Sequence, residues 1–324
     1  MIKRKTLISV IILVYRDEKY LQKCINSILA TTSSIEYEIV VIDNASLDGC
    51  DEIVHQYYPQ VRFFQSNKNL GFAKANNTAF NMASGRNLLF INPDTEIKET
   101  AIEKLHHQLT TLPNAGIVGA KLLNRDRSIQ TSCIQAFPTI LNQILDSNAL
   151  RSYFPRATLW GMGPLFLEDG LPTEVDAISG ACLMIKRSVF ESVGMFSTDY
   201  FMYSEDIDLC FKVRQAGWKN YYVPTAVVIH YVGASSSQSS ENSFSRVMML
   251  ESRWRFFRKT RSLWYSRLYR LAMFSACIIR IALVLLVWPV RGLNGKGYSI
   301  ENVLKKWTAS LSWTLGGEDW VKNY

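Results

Sequence analysis

The residues best suited to chemistry in this chain are carboxylates that end strands or open helices. Asp94 lies in the tetrapeptide Asn92-Pro93-Asp94-Thr95, and Glu205 and Asp206 are adjacent after the aromatic run 200–203. A carboxylate at a strand end can hold Mg²⁺ or Mn²⁺, and adjacent carboxylates among aromatic rings suit a general base. The alternatives are a proline turn with an Asp cap at Asp94 and a helix N-cap at Glu205-Asp206.

Further polar residues could bind an anionic nucleotide. Asp43, in VIDNASLDG, could accept the imide N–H of a thymine or uracil ring, although on local sequence alone an Asx turn explains it better. Asn69, Gly71 and Asn76 belong to NKNLGFAKANN, a glycine turn before a helix, where backbone N–H groups favour anions. His230 ends a strand and could contact a phosphate or a metal, whereas a lone histidine is usually structural.

The elements that must position these residues alternate between apolar strands and amphipathic helices. Strands are predicted at residues 8–14, 37–42, 61–65 and 87–91, with helices at 20–29, 51–58 and 72–83. Such alternation predicts a parallel sheet with helices on both faces, which binds ligands at the carboxyl ends of its strands. Asp43 and Asp94 both lie at predicted strand ends, which is the first argument that they are functional.

Beyond residue 123 the pattern becomes less regular. Residues 123–173 are predicted to form long loops over the site, and regular structure resumes at residues 176–186, 188–193, 206–216, 221–223 and 227–230. The serine-rich residues 235–245 indicate a boundary. We therefore expect a catalytic domain over residues 1–240, with a nucleotide-binding half at about 1–125 and an acceptor-side half at 176–240, followed by a helical tail at 241–324.

The positive charge of the chain is concentrated in that tail. Residues 251–324 carry 13 Lys and Arg against 4 Asp and Glu, whereas the other 250 residues carry 23 against 24. Residues 253–270 interleave seven basic residues with aromatic ones, and residues 271–290 are almost wholly apolar, broken by Arg280 and Pro289. About 20 such residues could span a bilayer, but a central arginine costs about 2.5–3.5 kcal/mol. An interfacial helix on an anionic membrane is therefore preferred over a span or a helix buried against the catalytic domain, and nucleic acid is the poorer partner.

Taken together, the motifs resemble the inverting glycosyltransferase family 2, within its rhamnosyltransferase-like branch. The resemblance runs in order from residue 6 to 235 through Val14-Tyr15, VIDNASLDG, NLGFAKANN, INPDT, SGACLMIKR, FMYSEDIDLCFKVRQAGW, and His230 followed by Gly233. It implies an α/β fold of the GT-A type, a Rossmann-like, mixed but mainly parallel sheet flanked by helices. A C-terminal helical region that associates with membranes would follow.

The resemblance also implies a role for each candidate. Asp43 would contact the nucleobase, and Asp94 would be the metal-site carboxylate, with His230 as a second candidate ligand. Asp206 would be the catalytic base, with Glu205 beside the acceptor. Tyr15, Asn69, Gly71 and Asn76 would complete the donor site. The chain departs from the family at Arg16, where Asn or Asp is common, and at Asn92, since only one carboxylate of the usual D-x-D pair is present.

The implied reaction is a single in-line displacement that inverts the anomeric carbon, with Mg²⁺ or Mn²⁺ as cofactor. L-rhamnose would pass from dTDP-L-rhamnose to a polyprenyl-diphosphate-linked glycan, in the synthesis of O-antigen, capsule or cell wall at the cytoplasmic face of a bacterial inner membrane. Homo-oligomerisation is left open.

Several alternatives stay open at this point. The same fold could transfer galactofuranose, glucose or N-acetylglucosamine from a UDP-sugar. A sugar-phosphate nucleotidylyltransferase would need a Gly- and Arg-rich loop where this chain has VYRDEKYL. A non-catalytic membrane-bound scaffold would not need the intact set of Asp43, Asp94 and Glu205-Asp206.

Overall fold

The computed structural model describes residues 7–231, 241–291 and 300–323, and the chain divides into two compact units. Unit 1 comprises residues 1–137, 154–201 and 205–235. Unit 2 comprises residues 138–153, 202–204 and 236–324, so it combines the tail with two internal segments. The predicted domain boundary at residue 240 and the motif residue Gly233 lie outside the described residues.

Unit 1 is built on a mixed sheet. Its strands are β1 (Ile8–Val14), β2 (Tyr37–Asp43), β3 (Arg62–Gln65), β4 (Asn87–Ile91), β5 (Thr95–Ile97), β6 (Ala115–Leu123), β7 (Ile134–Gln135), β8 (Thr173–Val175), β9 (Ala177–Ile178), β10 (Cys182–Lys186) and β11 (Lys219–His230). The order of the strands in the sheet is β3-β2-β1-β4-β10-β6-β11-β5, and β8 pairs with β11. A separate pair joins β7 to β9.

The first half of this sheet is parallel, as the sequence predicted. Strands β3, β2, β1 and β4 run in one direction. Nearly every residue of β1 and β4 is buried, because strands covered on both faces need continuous apolar runs. The helices of unit 1 are α1 (Glu18–Thr31), α2 (Cys50–Tyr57), α3 (Gly71–Phe80), α4 (Ala101–Thr111), α7 (Arg187–Ser192) and α8 (Glu205–Gln215).

The second half of the sheet is mixed. Strand β10 lies antiparallel between β4 and β6, whereas β6 and β11 are parallel to each other. Strand β11 is continuous where two short strands were predicted; its pairing with β6 shifts between Val223 and Val227. Pro224 lies in that interval and has no N–H to donate, which accounts for the apparent gap in the sequence pattern.

The segment predicted as long loops contains short elements instead. Helix α5 (Ile140–Ile144) and helix α6 (Asn148–Tyr153) lie within residues 123–173, with β7 and two short 3₁₀ turns. Helix α5 begins with a capping box between Thr139 and Asn142, which satisfies backbone N–H groups of its first turn. Helices this short lack the periodicity by which longer helices are recognised.

Unit 2 packs three longer helices, α9 (Glu241–Thr260), α10 (Leu263–Arg291) and α11 (Ile300–Thr314). Its buried aromatic side chains include Phe256, Phe257, Tyr269 and Trp313. The indole N–H of Trp313 donates to the Glu251 carboxylate over 3.0 Å, so the polar edge of this large ring is satisfied inside the core.

Arg280, in the middle of the apolar helix α10, faces other parts of unit 2. Its guanidinium donates to the carbonyl oxygens of Ile144 and Asp146 over 2.7 and 2.9 Å, and it lies 4.4 Å from the ring centroid of Trp307. The penalty assigned from sequence assumed a lipid-facing arginine. In the structure this charge binds carbonyl groups at the end of α5 and stacks on an indole instead.

A half-buried carboxylate, that of Glu38, joins β1, β2 and the turn before β4. Glu38 accepts hydrogen bonds from the hydroxyls of Ser9 and Ser84 over 2.6 and 2.8 Å, and the N–H of Gly85 donates to the Ser9 hydroxyl. Burial alone would raise the pKa of Glu38, but the hydrogen bonds from Ser9, Ser84 and Arg62 outweigh it and lower the pKa below 4.5. The ionised form therefore stabilises the folded state.

We expect Glu38→Gln to lower the free energy of unfolding by about 1–2 kcal/mol at pH 7. Since the folded-state pKa is depressed, the stabilisation is complete above pH 4.5 and is lost as the pH falls below that value. Urea unfolding from pH 7 to pH 3 measures both effects. Glu52→Gln, at an exposed position of α2, is the control, and an unchanged acid slope in Glu38→Gln would contradict the assignment.

Candidate active site

The parallel strands β2, β1 and β4 bring the first candidates to one edge of the sheet. Asp43 ends β2 and lies opposite Val14 of β1, so Tyr15 follows at the neighbouring strand end. Asp43 is 1% exposed, and one of its carboxylate oxygens accepts the N–H of Ser46 over 2.9 Å. Asp43 thus makes the local hydrogen bond of a turn, which was the alternative to a binding role. Its contact with a nucleobase stays a prediction.

An amide network connects this edge to the loop before α3. Asn44 accepts the N–H of Leu70 over 2.8 Å and donates to Asn69 over 2.8 Å. Asn69 in turn accepts the N–H of Gly71 over 2.9 Å. The motifs VIDNASLDG and NLGFAKANN are therefore held together by their amide side chains, with Asn44 as the connecting residue that the sequence reading did not single out.

Gly71 is required by both its conformation and its surroundings. Its φ is +74°, and an added Cβ would lie 2.4 Å from the carbonyl oxygen of Phe201. That oxygen accepts the N–H of Phe72 over 2.9 Å, so the start of α3 contacts the chain shortly before Glu205. Asn76 is buried and donates to the Phe72 carbonyl within the helix; its role at the donor stays a prediction.

Asp94 and His230 lie side by side, although 136 residues separate them in the chain. Strand β5 pairs with the end of β11, opposing Thr95 to His230, and the Asp94 carbonyl accepts the N–H of Tyr231. The carboxylate oxygen of Asp94 is 3.2 Å from Nε2 of His230. The amide of Asn92 is 3.3 Å from the same nitrogen, so the motif INPDT surrounds one edge of the imidazole ring.

Asp94 and His230 could hold a divalent cation together, if a bound ligand supplied further donors. Two ligands at right angles, each about 2.1 Å from an octahedral Mg²⁺, lie about 3 Å apart, close to the 3.2 Å between Asp94 and His230. Across residues 7–231, 241–291 and 300–323, no group of three or more His, Cys, Asp and Glu could hold a metal. Among these residues Asp94 and His230 are a candidate pair of donors, and a substrate diphosphate is the kind of group that could complete such a shell.

Glu205 and Asp206 form the first turn of α8, where negative charge is favoured by the helix dipole. Glu205 is buried. The two carboxylate oxygens of Asp206 accept the N–H groups of Gly180 and Ile207 over 3.0 and 2.8 Å. These bonds fix the orientation of the Asp206 carboxylate, which is half-buried at the start of the helix.

Asp208, two residues beyond Asp206 in α8, belongs to the interior of unit 1. It is fully buried and accepts hydrogen bonds from the hydroxyls of Ser197 and Tyr200. The ammonium group of Lys212 lies 3.7 Å away. This carboxylate is therefore structural, whereas Asp206 keeps a partly exposed position.

A short run of hydrogen bonds connects the metal-site candidates to Asp206. Strand β10 pairs with β4, opposing Cys182 to Ile91, and beyond this pair the N–H of Asn92 donates to the Ala181 carbonyl over 3.1 Å. The adjacent Gly180 donates its N–H to Asp206. The INPDT segment and the start of α8 are thus attached to the same strand end.

The departure at Arg16 has a structural counterpart. Arg16 has a φ of +57°, a left-handed conformation that Asn and Asp adopt more readily than other residues with side chains. The Arg16 N–H donates to the Ser46 hydroxyl, and its guanidinium lies 5.2 Å from the centroid of the Tyr15 ring. A cation therefore stands beside Tyr15 at the edge shared with Asp43.

The sequence matches the model of a known protein family and is similar to several known proteins. The model of the family described as glycosyl transferase family 2 matches residues 9–194. N-acetylglucosaminyl-diphospho-decaprenol L-rhamnosyltransferase of Mycobacterium tuberculosis is 30% identical over 244 residues, which cover 71% of this chain and 77% of that protein. Rhamnosyltransferase WbbL of Escherichia coli is 27% identical over 244 residues, covering 69% and 83%.

Two solved structures share the fold over nearly the whole chain. A mannosyltransferase from Pyrobaculum calidifontis in complex with GDP-Man and Mn²⁺ superposes with a TM-score of 0.60 at 16% identity, covering 98% of this chain and 89% of that one. GalNAc-T7 with UDP, GalNAc and Mn²⁺ superposes with a TM-score of 0.62 at 15% identity. The superposition includes 98% of this chain but only 57% of the GalNAc-T7 chain.

We expect Asp208→Ala to lower the free energy of unfolding by about 3 kcal/mol, because it removes the buried carboxylate that accepts the hydroxyls of Ser197 and Tyr200 and faces the ammonium group of Lys212. Asp206→Asn should lower it by only about 1 kcal/mol, since the amide oxygen can still accept one of the two backbone N–H groups. Chemical denaturation of both variants measures the difference, and equal losses would show that Asp206 is as structural as Asp208.

Proposed function

Because the chain belongs to glycosyltransferase family 2 and has the GT-A fold, we propose that it is an inverting, metal-dependent hexosyltransferase. The observation that carries this proposal is the attachment of Asp94 and Asp206 to one strand end, through Asn92–Ala181 and Gly180–Asp206. A donor diphosphate beside Asp94 and an acceptor hydroxyl beside Asp206 would then approach the same sugar carbon.

In this proposal each carboxylate has a separate task. Asp206 accepts the proton of the acceptor hydroxyl as its oxygen bonds to the anomeric carbon, and the bond from that carbon to the diphosphate breaks on the opposite side. The electron pair of the broken bond leaves with the nucleoside diphosphate, and the configuration inverts. Glu205 stands beside the acceptor, and Asp43 and Tyr15 hold the nucleotide.

Asp94 and His230 are the proposed ligands of Mg²⁺ or Mn²⁺, which neutralises charge on the leaving diphosphate when bound. The 3.2 Å separation of their donor atoms supports this assignment, as do the Mn²⁺ complexes of the two similar structures. The nucleotides bound in those structures do not identify the substrate of this chain, because 15% and 16% sequence identity is too low to transfer one.

L-rhamnose from dTDP-L-rhamnose is the proposed donor sugar, and a polyprenyl-diphosphate-linked glycan is the proposed acceptor. Both follow from the names of the relatives from M. tuberculosis and E. coli. The pathway would be synthesis of a bacterial surface polysaccharide. A UDP-activated galactofuranose, glucose or N-acetylglucosamine is the alternative donor, because motifs that hold nucleotide and metal do not read the sugar ring.

We further propose that α10 lies on the cytoplasmic face of the inner membrane. Within the described residues, Leu263–Leu286 is long and apolar enough to cross a bilayer by composition. One face of the helix is buried through Tyr269, Met273 and Cys277, and Arg280 lies on that same side. Around the rest of the helix, the exposed large apolar residues are Leu263, Trp264, Leu268, Leu271, Ile278, Ile279, Leu283, Leu285 and Leu286.

This arrangement favours a helix in the membrane surface over a span. An apolar face on one side of a helix, with basic residues near its beginning, is typical of interfacial binding to anionic lipid. The exposed basic residues there are Arg258, Lys259, Arg261 and Arg267. A span would also expose the packed side of α10, with its arginine, to lipid.

We expect Asp206→Asn to lower kcat by at least about 100-fold, because the base is lost, while nucleotide binding is retained. The assay uses dTDP-L-rhamnose and polyprenyl-diphosphate-N-acetylglucosamine, with products read by mass spectrometry, and UDP-sugars as competing donors. Calorimetry with dTDP measures binding. Undiminished turnover in Asp206→Asn would refute the base assignment, and full activity in EDTA would refute the cation requirement.

We expect full-length protein to float with phosphatidylglycerol vesicles, less so with phosphatidylcholine or high salt. Leu268→Glu combined with Leu271→Glu should weaken this binding at least about 10-fold, since each buried leucine contributes about 1.5–3 kcal/mol. Leu167→Glu, at an exposed apolar residue of unit 1, is the matched control. Equal flotation of the double variant and the control would refute the proposed membrane face.

A further inference from the structure

The imidazole of His230 has a further polar contact, on the side away from Asp94 and Asn92. Nδ1 of His230 lies 2.8 Å from the side-chain oxygen of Gln130. Gln130 is only 7% exposed, and its backbone is held on both sides, by Leu122 and Cys133. Its side chain is therefore presented to His230 by a fixed stretch of main chain just after β6.

The direction of this hydrogen bond decides which nitrogen of His230 carries the proton. An amide oxygen can only accept, so Nδ1 must carry a proton. Nε2 faces the Asp94 carboxylate at 3.2 Å and the Asn92 amide at 3.3 Å. In the neutral imidazole Nε2 keeps its lone pair, which accepts from Asn92, and this is the state in which it can bind a cation shared with Asp94. Without a cation, any second proton of the ring is held on Nε2 against the Asp94 carboxylate.

Neighbouring side chains set the orientation of the Gln130 amide. The Asp126 carboxylate accepts the Ser128 hydroxyl over 2.6 Å, so the Ser128 oxygen is left to accept the amide N–H of Asn124 over 2.9 Å. The oxygen of Asn124 then faces the Gln130 amide nitrogen at 3.4 Å. The Asp126 carboxylate can only accept, so it fixes the donor and acceptor of each following hydrogen bond. The last of these is the bond between Gln130 and the imidazole of His230.

We propose that Gln130 is a positioning residue that holds His230 in the Nδ1-protonated tautomer and directs Nε2 toward Asp94. Asn124, Ser128 and Asp126 support it by orienting its amide. The consequence for cation binding rests on the metal role of His230 proposed above, whereas the tautomer assignment depends only on the contacts of Gln130 and Asn92.

The tautomer is tested directly by ¹⁵N NMR of protein labelled at histidine, at a pH where the imidazole is neutral. The signals of His230 are assigned by comparison with His230→Asn. We expect the Nδ1–H form in the unsubstituted chain and in Gln130→Glu, whose carboxylate still accepts. Gln130→Met, which has no comparable acceptor, should populate the Nε2–H form. An Nε2–H form in the unsubstituted chain would overturn the proposal, whatever the protein catalyses.

The consequence for the cation is measured by electron paramagnetic resonance of free Mn²⁺, with and without dTDP. Gln130→Met should weaken Mn²⁺ binding about 10-fold or more, as loss of a partner that orients a ligand typically does, and Gln130→Glu should not. Gln215→Met, at an exposed position of α8, is the control. Equal Mn²⁺ affinity of Gln130→Met and the control would overturn the positioning role.

The two proposals fail in different ways. An Nδ1-protonated His230 in a protein that binds no Mn²⁺ would refute the metal site and leave the orientation of His230 by Gln130 intact. Mn²⁺ binding that is equally tight in Gln130→Met would refute the role of Gln130 and leave the metal site intact.

Discussion

The hydrogen bonds between β4 and the antiparallel strand β10 are the interaction on which the geometry of the site depends. Parallel pairing of β2, β1 and β4 gathers Asp43 and the INPDT segment at one edge, but it does not attach α8 to that edge. Strand β10 does so, because Ala181 binds Asn92 and Gly180 binds Asp206. Two carboxylates more than 100 residues apart in the sequence are thereby fixed within one framework.

The sequence predicts those elements of the fold that are recognisable from their own pattern of buried residues. Strands β1 and β4 have the predicted bounds, since a strand covered on both faces is a continuous apolar run with polar ends. Strand β10 lies in a segment whose order was predicted, but an apolar run does not reveal its partner or its direction. Strand β6 and helix α4 were not predicted at all.

The site shows the same division between local and distant information. Asp94 and His230 were chosen separately for their residue types, and only the pairing of β5 with β11 places their side chains 3.2 Å apart. Gln130 could not be predicted as a site residue, because it lies in an irregular stretch between β6 and β7 and belongs to no recognisable sequence motif. For Arg280 the sequence position alone was misleading. Its place within an apolar run indicated a free-energy cost of inserting an arginine into a bilayer, yet its contacts lie within unit 2.

Unit 2 is assembled from segments that are far apart in the chain, and this has a consequence for the order of folding during synthesis. Residues 138–153 leave the ribosome long before α10, which supplies Arg280 to the carbonyl groups at the end of α5 and the Tyr265 hydroxyl to the Ile140 N–H. Unit 2 can therefore form only after translation has reached the tail. Until then the first N–H of α5 and the carbonyl groups at its end lack these partners.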